Sequence, residues 1–306
     1  MNTCVRQWVH TTDIFEHANA LPGWQQCYDQ LSPGPLDGWL STAQADDVQV
    51  FRERLNRSVL QSIRLPAAAL NILVPLAWPQ ADEHSLICAR QPSLLPAQEP
   101  LRVVSPAGMD VLCLSIPLAA LAGLLDEERL FRLQYNPVVQ PLPMPAARLA
   151  ADVPRLLAML DATSTLGVSC AQSKAWLVLT VADWLDSLAG EAPVLPAAGT
   201  RRYIVERCHQ WLLERTEQPP SLLELCQRLK ISRRTLQYSF QSVAAVSPVQ
   251  YLRSVRLNGA RRSLRQDPQQ CIAEVAARWG FEHPSYFSLE YQKLFGERPS
   301  GLRRNL

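Results

Sequence analysis

The sequence predicts an α+β protein in which a strand-rich N-terminal domain precedes an all-helical C-terminal domain. Three observations support this prediction. Short apolar runs broken by Pro, Gly and Asp occupy residues 30–116. Charge divides the chain, with 12 Lys and Arg against 19 Asp and Glu in residues 1–200, and 18 against 9 in residues 201–306. Two amphipathic helical segments recur about fifty residues apart in the basic part. We expect a first domain at 1–190, a Pro-containing linker at 191–200 and a second domain at 201–306.

The strands of the first domain are predicted from apolar runs, each shorter than nine residues and ending at turn-forming residues. A sandwich or barrel fits this spacing. The runs are Val48–Phe51, Val59–Leu65, Leu70–Leu76, Ser85–Cys88, Leu101–Val104 and Val111–Ile116.

Two helices are predicted to follow, at about 145–162 and 168–190. The second helix has an apolar stripe that forms either core or a dimer contact. The stripe comprises Trp176, Leu177, Val181, Trp184, Leu185 and Leu188.

Location and redox state are predicted from what the sequence lacks. The N-terminus has no basic segment followed by an apolar one, and the most apolar stretches fall short of a membrane span. None of the eight cysteines forms a C-x-x-C pair, so we interpret them as reduced thiols of a cytoplasmic protein without a metal site.

Enzyme motifs are also missing from the sequence. It contains no Gly-rich phosphate loop, no H-E-x-x-H and no G-x-S-x-G. The string Arg207-Cys208-His209 lies on an amphipathic segment where Cys208 aligns with core positions, which argues against a reactive thiol. We therefore predict no enzyme activity, with an enzyme carrying a DNA-targeting tail as the alternative.

The C-terminal third contains an internal repeat. Residues Leu222, Leu225, Cys226 and Leu229 recur fifty positions later as Ile272, Val275, Ala276 and Trp279. Residues Leu236, Phe240 and Val243 recur fifty-one positions later as Phe287, Tyr291 and Leu294. Each copy is a short amphipathic helix, a turn and a second amphipathic helix, which is the helix-turn-helix plan.

The turns fit this plan. Ser232 suits the N-cap of the second helix in copy one. In copy two, Gly280 suits a left-handed position after the first helix, and Pro284 suits the first turn of the next helix after His283.

Between the copies, residues 248–266 are predicted to form one helix of about 28 Å. Because successive major grooves on one face of B-DNA are about 34 Å apart, this helix suits two units that bind one DNA turn apart. Of its five arginines, we expect some to contact phosphates and Arg256 to be structural. The arginines are Arg253, Arg256, Arg261, Arg262 and Arg265.

These motifs resemble the AraC/XylS family of bacterial transcription regulators over residues 200–304. The matching positions are Ser247-Pro248, Tyr251, Arg256-Leu257, Ala260, Leu264, Ile272, Ala276, Gly280-Phe281, Tyr286-Phe287-Ser288, Phe295-Gly296, Pro299-Ser300 and Arg303. Residues 11–17, 24–30 and 46–53 are similar to the ethanolamine-operon regulator branch of that family. The resemblance implies a cupin-like, effector-sensing N-terminal domain and two helix-turn-helix units whose second helices enter major grooves.

The candidate DNA-contacting residues are inferred from the packing of each helix, because the face opposite the buried side must be exposed. In copy one, Leu236, Phe240 and Val243 face inward, and the opposite face contains side chains that pair with guanine and adenine. By resemblance, Arg234, Gln237 and Tyr238 match base-contacting positions, while Arg233 is assigned to phosphate. Partial core packing is the alternative for Tyr238. The full prediction is Ser232, Arg233, Arg234, Gln237, Tyr238, Gln241, Arg253, Arg261, Pro284, Ser285, Ser288 and Leu289.

The second unit departs from the family pattern. Leu289 stands where the family often has Arg, and Ala245-Val246-Ser247 lacks the usual Gly. Ser288 can bond base or phosphate, and Leu289 can contact a thymine methyl, so base contact by this helix stays open.

The resemblance implies double-stranded promoter DNA, RNA polymerase and a small-molecule effector as partners, an activator role, and leaves a homodimer open. The effector class it suggests is ethanolamine or another small amine. Adenosylcobalamin is a second effector candidate, although no D-x-H-x-x-G motif is present. Trp39, Trp78, His84, Asp46 and Asp47 are either pocket residues or ordinary barrel residues.

Overall fold

The computed structural model describes residues 4–66, 68–79, 87, 89, 91–96, 100–125, 127–136, 138–161, 170–186 and 199–302. Within these ranges, ten strands form the N-terminal domain. The strands are β1 (Cys4–Thr11), β2 (Gln25–Gln30), β3 (Gly38–Ala45), β4 (Val48–Leu55), β5 (Val59–Arg64), β6 (Ala69–Ala77), β7 (Ser93–Leu94), β8 (Leu101–Ser105), β9 (Met109–Pro117) and β10 (Gln140–Pro141).

These strands form two antiparallel sheets. The larger has the order β1-β3-β4-β9-β6-β7-β10, and the smaller has the order β2-β5-β8. The alternation of apolar residues along β4, β5 and β9 places one set of side chains between the sheets, where Phe51, Ile63 and Val111 are buried in one core. The predicted runs 48–51, 59–65, 70–76, 101–104 and 111–116 lie on β4, β5, β6, β8 and β9, while most of the run at 85–88 lies outside the described residues.

Five helices accompany the sheets in the described part of this domain, and two of them match the predicted helices. The helices are α1 (Ile14–Ala18), α2 (Leu118–Leu121), α3 (Glu127–Gln134), α4 (Ala146–Leu160) and α5 (Cys170–Asp186). The stripe of α5 is mainly core, because Leu177, Val181 and Trp184 pack with Leu112 and Leu114 of the large sheet. Sequence analysis missed α1, α2 and α3, which are short or lack buried residues at helical spacing.

The C-terminal domain is all helical where the structure describes it, which confirms the predicted fold class. Its helices are α6 (Gly199–Glu214), α7 (Leu222–Leu229), α8 (Arg233–Ala244), α9 (Pro248–Gln266), α10 (Ile272–Arg278), α11 (Pro284–Phe295) and α12 (Pro299–Leu302). The 19-residue helix α9 has the bounds that the sequence predicts. Residues 191–198 of the predicted linker lie outside the described residues. Its last two residues, 199 and 200, belong to α6.

The two copies of the repeat are built alike. Leu225 and Cys226 of α7 are buried, as are Val275 and Ala276 at the matching positions of α10. Leu236 and Phe287 are also buried, at 1% and 0% exposure, so both second helices face their cores with the predicted side. The N-terminal half of α9 packs into the first core and its C-terminal half into the second.

The small sheet contacts the C-terminal domain directly. Leu31 and Leu60 belong to the same apolar cluster as Ile204, Val205 and further residues of α6, α8 and α9. The small sheet therefore has one face on the N-terminal core and the other on the helices.

Candidate nucleic-acid interface

Helix α8 starts at a side-chain cap that the sequence predicts. Ser232 has an extended backbone, and its Oγ accepts a hydrogen bond from the Thr235 N–H at 3.0 Å. The side chain of Ser232 also bonds Thr235 Oγ1 at 2.9 Å. Such a cap satisfies one of the free N–H groups at a helix start and fixes where α8 begins.

The outer face of α8 presents polar side chains to solvent. Because Leu236 and Phe240 anchor the opposite side, the five predicted contact residues share the surface-facing side. They are Arg233, Arg234, Gln237, Tyr238 and Gln241, and all five are exposed. A basic and amide-rich face of this kind provides the donors and acceptors that pair with base edges in a major groove.

Tyr238 is not a core residue. Its side chain is 54% exposed, and the guanidinium of Arg201 lies 4.5 Å from the ring centroid. This contact links α6 to α8 and orients the ring at the surface. Sequence analysis missed Arg201, since a cation–aromatic contact between helices leaves no periodic pattern.

Helix α11 presents a different outer face. His283 occupies the N-cap position and Pro284 lies in the first turn, as expected. Pro284, Ser285 and Leu289 are exposed, while Ser288 is half-buried. At these four positions α11 therefore has hydroxyl and apolar groups where α8 has Arg233, Arg234, Gln237 and Tyr238.

Two further residues on this face were missed. The offset of fifty-one maps Gln241 onto Gln292, which is exposed and which the same arithmetic could have found. Tyr286 is 46% exposed, and its hydroxyl accepts a hydrogen bond from Arg253 Nη1 at 3.1 Å.

The structure corrects the prediction that Arg261 contacts phosphate. Arg261 is only 4% exposed. Its guanidinium donates to Asp13 at 2.7 Å, to the Tyr291 hydroxyl at 2.9 Å and to Glu297 at 2.7 Å. The prediction is wrong for this conformation because neighbouring acids already occupy the donors of Arg261.

The other arginines of α9 also have protein partners. Arg262 pairs with Asp29, and Arg265 pairs with Asp13 and Glu16. Arg253 pairs with Glu290 at 3.0 Å, so its predicted role in DNA contact competes with that ion pair. Arg233, which is also predicted to contact phosphate, is by contrast exposed at the start of α8.

Arg256 is structural, as predicted. Its Nη1 donates to the Gly280 carbonyl at 3.0 Å, and its guanidinium lies 4.6 Å from the Phe281 ring centroid. Gly280 has φ +72°, and a Cβ there would lie 2.9 Å from the Thr216 carbonyl oxygen, so this turn requires glycine. Arg256 thus ties α9 to the turn of the second unit.

A side-chain amide joins α9 to the edge of the small sheet. Asn258 Oδ1 accepts from the Gln30 N–H at 3.0 Å, and Asn258 Nδ2 donates to the Gln30 carbonyl at 2.9 Å. Because β2 is an edge strand, its outward backbone groups need partners, and Asn258 supplies both. The polar face of α9 is therefore a docking surface for the N-terminal domain.

A cavity of about 290 Å³ lies between the two domains. Trp78 and Arg102 line it from the N-terminal side, and Arg202, Glu206 and Tyr251 line it from the helices. Of the described residues weighed as one pocket, Trp78 lines this cavity, whereas Trp39, Asp46 and Asp47 lie elsewhere. Trp39 is exposed beside His10, with ring centroids 4.3 Å apart, and His84 lies outside the described residues.

Asp46 and Asp47 lie in a separate open cleft, where Lys174 Nζ is 3.5 Å from Asp46 and 2.6 Å from Asp47. The hydrogen bond from Lys174 lowers the pKa of Asp47 below its ordinary value. These carboxylates therefore already hold an ammonium group from the chain itself.

Two titratable groups of α6 have strongly shifted pKa values. Burial, reinforced by Arg102 and Arg262, lowers the pKa of His209 to about 3, and its Nδ1 lies 3.2 Å from the Tyr251 hydroxyl. Burial raises the pKa of the Cys208 thiol to about 12, which fits the predicted core role. The six cysteines whose side chains are described are free thiols.

No group of three or more His, Cys, Asp or Glu among the described residues is arranged to hold a metal ion. None of the described helices is both long enough and apolar enough to cross a bilayer.

The geometry defines a tandem helix-turn-helix domain with two outward-facing second helices joined by one long helix. Residues 225–305 match the family model described as a helix-turn-helix domain. The C-terminal region thus has the helix-turn-helix architecture that this family model describes.

Two curated proteins illustrate the similarity. The probable thc operon regulatory protein of Rhodococcus erythropolis is 32% identical over 151 residues, covering 49% of this chain and 43% of that protein. The HTH-type transcriptional activator RhaR of Salmonella schwarzengrund is 32% identical over 109 residues, which cover 36% of this chain and 38% of that protein. The chain thus spans less than half the length of these relatives.

Among solved structures, a transcriptional regulator with an AraC-type DNA-binding domain from Chromobacterium violaceum is 25% identical. The matched region covers 34% of this chain and 92% of the chain of that regulator, with a TM-score of 0.32.

Proposed function

We propose that this protein is a sequence-specific regulator of transcription that binds double-stranded promoter DNA through α8 and α11 and activates transcription. The exposed face of α8 carries the proposal, because it presents Arg234, Gln237 and Gln241 together on a helix whose opposite side is anchored. Bidentate pairing of Arg with guanine and of Gln or Asn with adenine is the common mode of base recognition in the major groove. The net charge of +9 in residues 201–306 favours approach to the phosphate backbone.

The contact roles follow from position. Arg234, Gln237 and Tyr238 contact bases, while Arg233 and Ser232 contact the backbone near the start of α8. Pro284, Ser285, Ser288 and Leu289 form the corresponding surface of α11. An activator also contacts RNA polymerase, and a dimer would double the number of half-sites.

The test uses the full chain and a duplex selected by it from a random-sequence library, with a scrambled duplex of equal composition as competitor. We expect Arg234→Ala to weaken binding to the selected duplex by about tenfold or more and to leave the scrambled duplex nearly unaffected. Arg132→Ala is the matched control, because it removes an exposed arginine from α3 of the N-terminal domain. Equal loss on both duplexes for Arg234→Ala would defeat the assignment to bases.

For the effector, we propose a small amine such as ethanolamine. The support is the similarity of residues 11–17, 24–30 and 46–53 to the ethanolamine-operon regulator branch, a branch that the relatives named above do not represent. The experiment is thermal unfolding of the full chain with ethanolamine and, separately, with adenosylcobalamin. A rise in melting temperature that saturates with concentration identifies the effector. No shift with ethanolamine or related amines would reject this effector class.

The second candidate, an enzyme with a DNA-targeting tail, is distinguished by an assay for turnover beside the binding assay. An RNA-binding role is distinguished by competition between duplex DNA and single strands, since helix-turn-helix units bind duplex grooves.

A further inference from the structure

The two helix-turn-helix units present different chemistry at equivalent positions. The fifty-one-residue offset that aligns the buried Leu236 with the buried Phe287 also aligns their outer faces. Arg234 then corresponds to Ser285, and Tyr238 corresponds to Leu289. Gln237 likewise corresponds to Ser288. The first unit thus has side chains that pair with particular bases, whereas the second has two hydroxyls and one aliphatic group.

We propose that the second unit recognises thymine through its C5-methyl group, with Leu289 as the contacting side chain. The target DNA then contains one half-site specified by hydrogen bonds and one specified by methyl groups. This inference rests on the proposed function and assigns the base recognised by α11.

The exposure of Leu289 supports the assignment. Its side chain is 52% exposed on the outer side of α11, next to Tyr286 at 46%. An apolar side chain on a groove-facing helix gains free energy only if it meets apolar surface. At the base edges of a major groove, the thymine methyl is the apolar group.

Leu289 is the aliphatic side chain among the three positions that correspond to Arg234, Gln237 and Tyr238. The hydroxyls of Ser285 and Ser288 bond to several bases or to phosphate, so they do not select one base. Glu290 is buried, and Arg253 at 3.0 Å and Lys293 at 2.8 Å compensate its charge. Gln292, one turn beyond Ser288, and the Tyr286 hydroxyl supply the other hydrogen-bonding groups of this face, so a methyl contact is assigned to Leu289.

The helix beneath Leu289 is held in place by aromatic packing. Phe287 contacts Phe281 with ring centroids 5.2 Å apart, and contacts Tyr291 at 5.6 Å. Both Phe287 and Tyr291 have 0% exposure. Because van der Waals contact with one methyl needs close positioning, a fixed backbone on either side of Leu289 favours this mode of recognition.

The experiment replaces thymine with uracil, which removes the methyl and leaves every hydrogen-bonding group. The probe is the tightest duplex recovered from a random-sequence library with the full-length protein. Binding by Arg234→Ala tells the two half-sites apart. The half-site at which this variant loses base preference is the first, bound by α8, and the remaining half-site is the second, bound by α11. We expect that replacing one or two thymines of the second half-site with uracil weakens binding about fourfold. This factor corresponds to the free energy gained by burying one methyl group.

Leu289→Ala connects the effect to the residue. This variant should bind the thymine and uracil duplexes equally, and it should fold normally because the side chain is exposed. Leu289→Asn, which is similar in size but polar, should also lose the discrimination. Arg132→Ala should keep the full fourfold difference.

Two results would overturn the inference. One is equal affinity of the natural protein for thymine and uracil throughout the second half-site. The other is a uracil effect that persists in Leu289→Ala. Failure to enrich any duplex would instead overturn the proposed function and this inference with it, so the two failures are distinguishable.

Discussion

Arg261 and Asp13 lie 248 positions apart in the chain and form a buried ion pair, with 2.7 Å between Arg261 Nε and Asp13 Oδ2. Asp13 Oδ1 also caps α1 by accepting from the N–H groups of Phe15 and Glu16. The remaining donors of Arg261 reach Tyr291 and Glu297. One guanidinium therefore joins the N-terminal domain to both α9 and the second helix-turn-helix unit.

Breaking this pair from one side should destabilise the protein strongly. Arg261→Gln leaves the buried Asp13 with Arg265, at 3.2 Å, as its remaining counter-charge and removes the ion pair of Glu297, so we expect a loss of about 3 kcal/mol in the free energy of unfolding. Asp13→Asn should also destabilise, while keeping an oxygen for the helix cap. Urea unfolding of both single variants and the double variant measures the coupling. The double variant should lose at least about 1 kcal/mol less than the sum of the singles. Strict additivity would show that the two residues do not interact.

The second core should not tolerate a methyl group at Gly259. A Cβ there would lie 2.2–2.4 Å from ring atoms of Trp279, so Gly259→Ala forces α9 and α10 apart. We expect a loss of about 1–3 kcal/mol from this overpacking. Gly301→Ala is the matched control, because its Cβ meets Glu297 Oε2 at an ordinary 3.6 Å. Thermal unfolding compares them, and equal stability of both variants would contradict the close packing of Trp279.

The salt dependence of DNA binding should identify which arginines contact phosphate. Each phosphate neutralised contributes about 0.9 to the slope of log K against log salt. Arg233→Gln should therefore reduce that slope by about 0.9. Arg262→Gln should leave the slope unchanged, since Arg262 is paired with Asp29. The slope is obtained from fluorescence anisotropy titrations at several salt concentrations. A reduced slope for Arg262→Gln would mean that α9 releases this arginine to DNA.

Stability should fall in mild acid because of His209. Its pKa is about 3 in the folded protein against an ordinary 6.5, so only the unfolded chain binds this proton between those values. The free energy of unfolding therefore has the full contribution of neutral His209 above pH 6.5. This contribution falls by about 1.4 kcal/mol for each pH unit below that value. Between pH 6.5 and 5 that is a loss of about 2 kcal/mol.

The check compares urea unfolding of the natural protein and His209→Gln at pH 6.5 and pH 5. The variant loses the contact with Tyr251 at both values, but its stability should fall by about 2 kcal/mol less between them. An equal fall for both proteins would place the acid sensitivity elsewhere in the molecule.

Periodic patterns account for what could be predicted locally. The core sides of α7, α8, α10 and α11 follow from apolar residues at helical spacing, and the repeat predicts which of these helices pair. The same reasoning found the exposed face of α8, because once Leu236 and Phe240 are assigned inward, Arg234 and Gln237 must face outward. The short strand β7 and the helix α3 were not predicted. A strand of two residues, or a helix without buried residues, produces no clear period of apolar residues in the sequence.

By itself, the sequence determined the α+β order, the tandem units, the helix at 248–266 and the outward-facing side of α8. These depend on spacing within one segment, which the backbone geometry of a helix or strand fixes. Only the tertiary structure decided the roles of Arg261, Arg262 and Arg265, because their partners Asp13, Asp29 and Glu16 are more than two hundred residues away in the chain. A guanidinium in sequence looks the same whether its partner is a phosphate or a carboxylate, and only folding brings the carboxylates of the N-terminal domain to that helix.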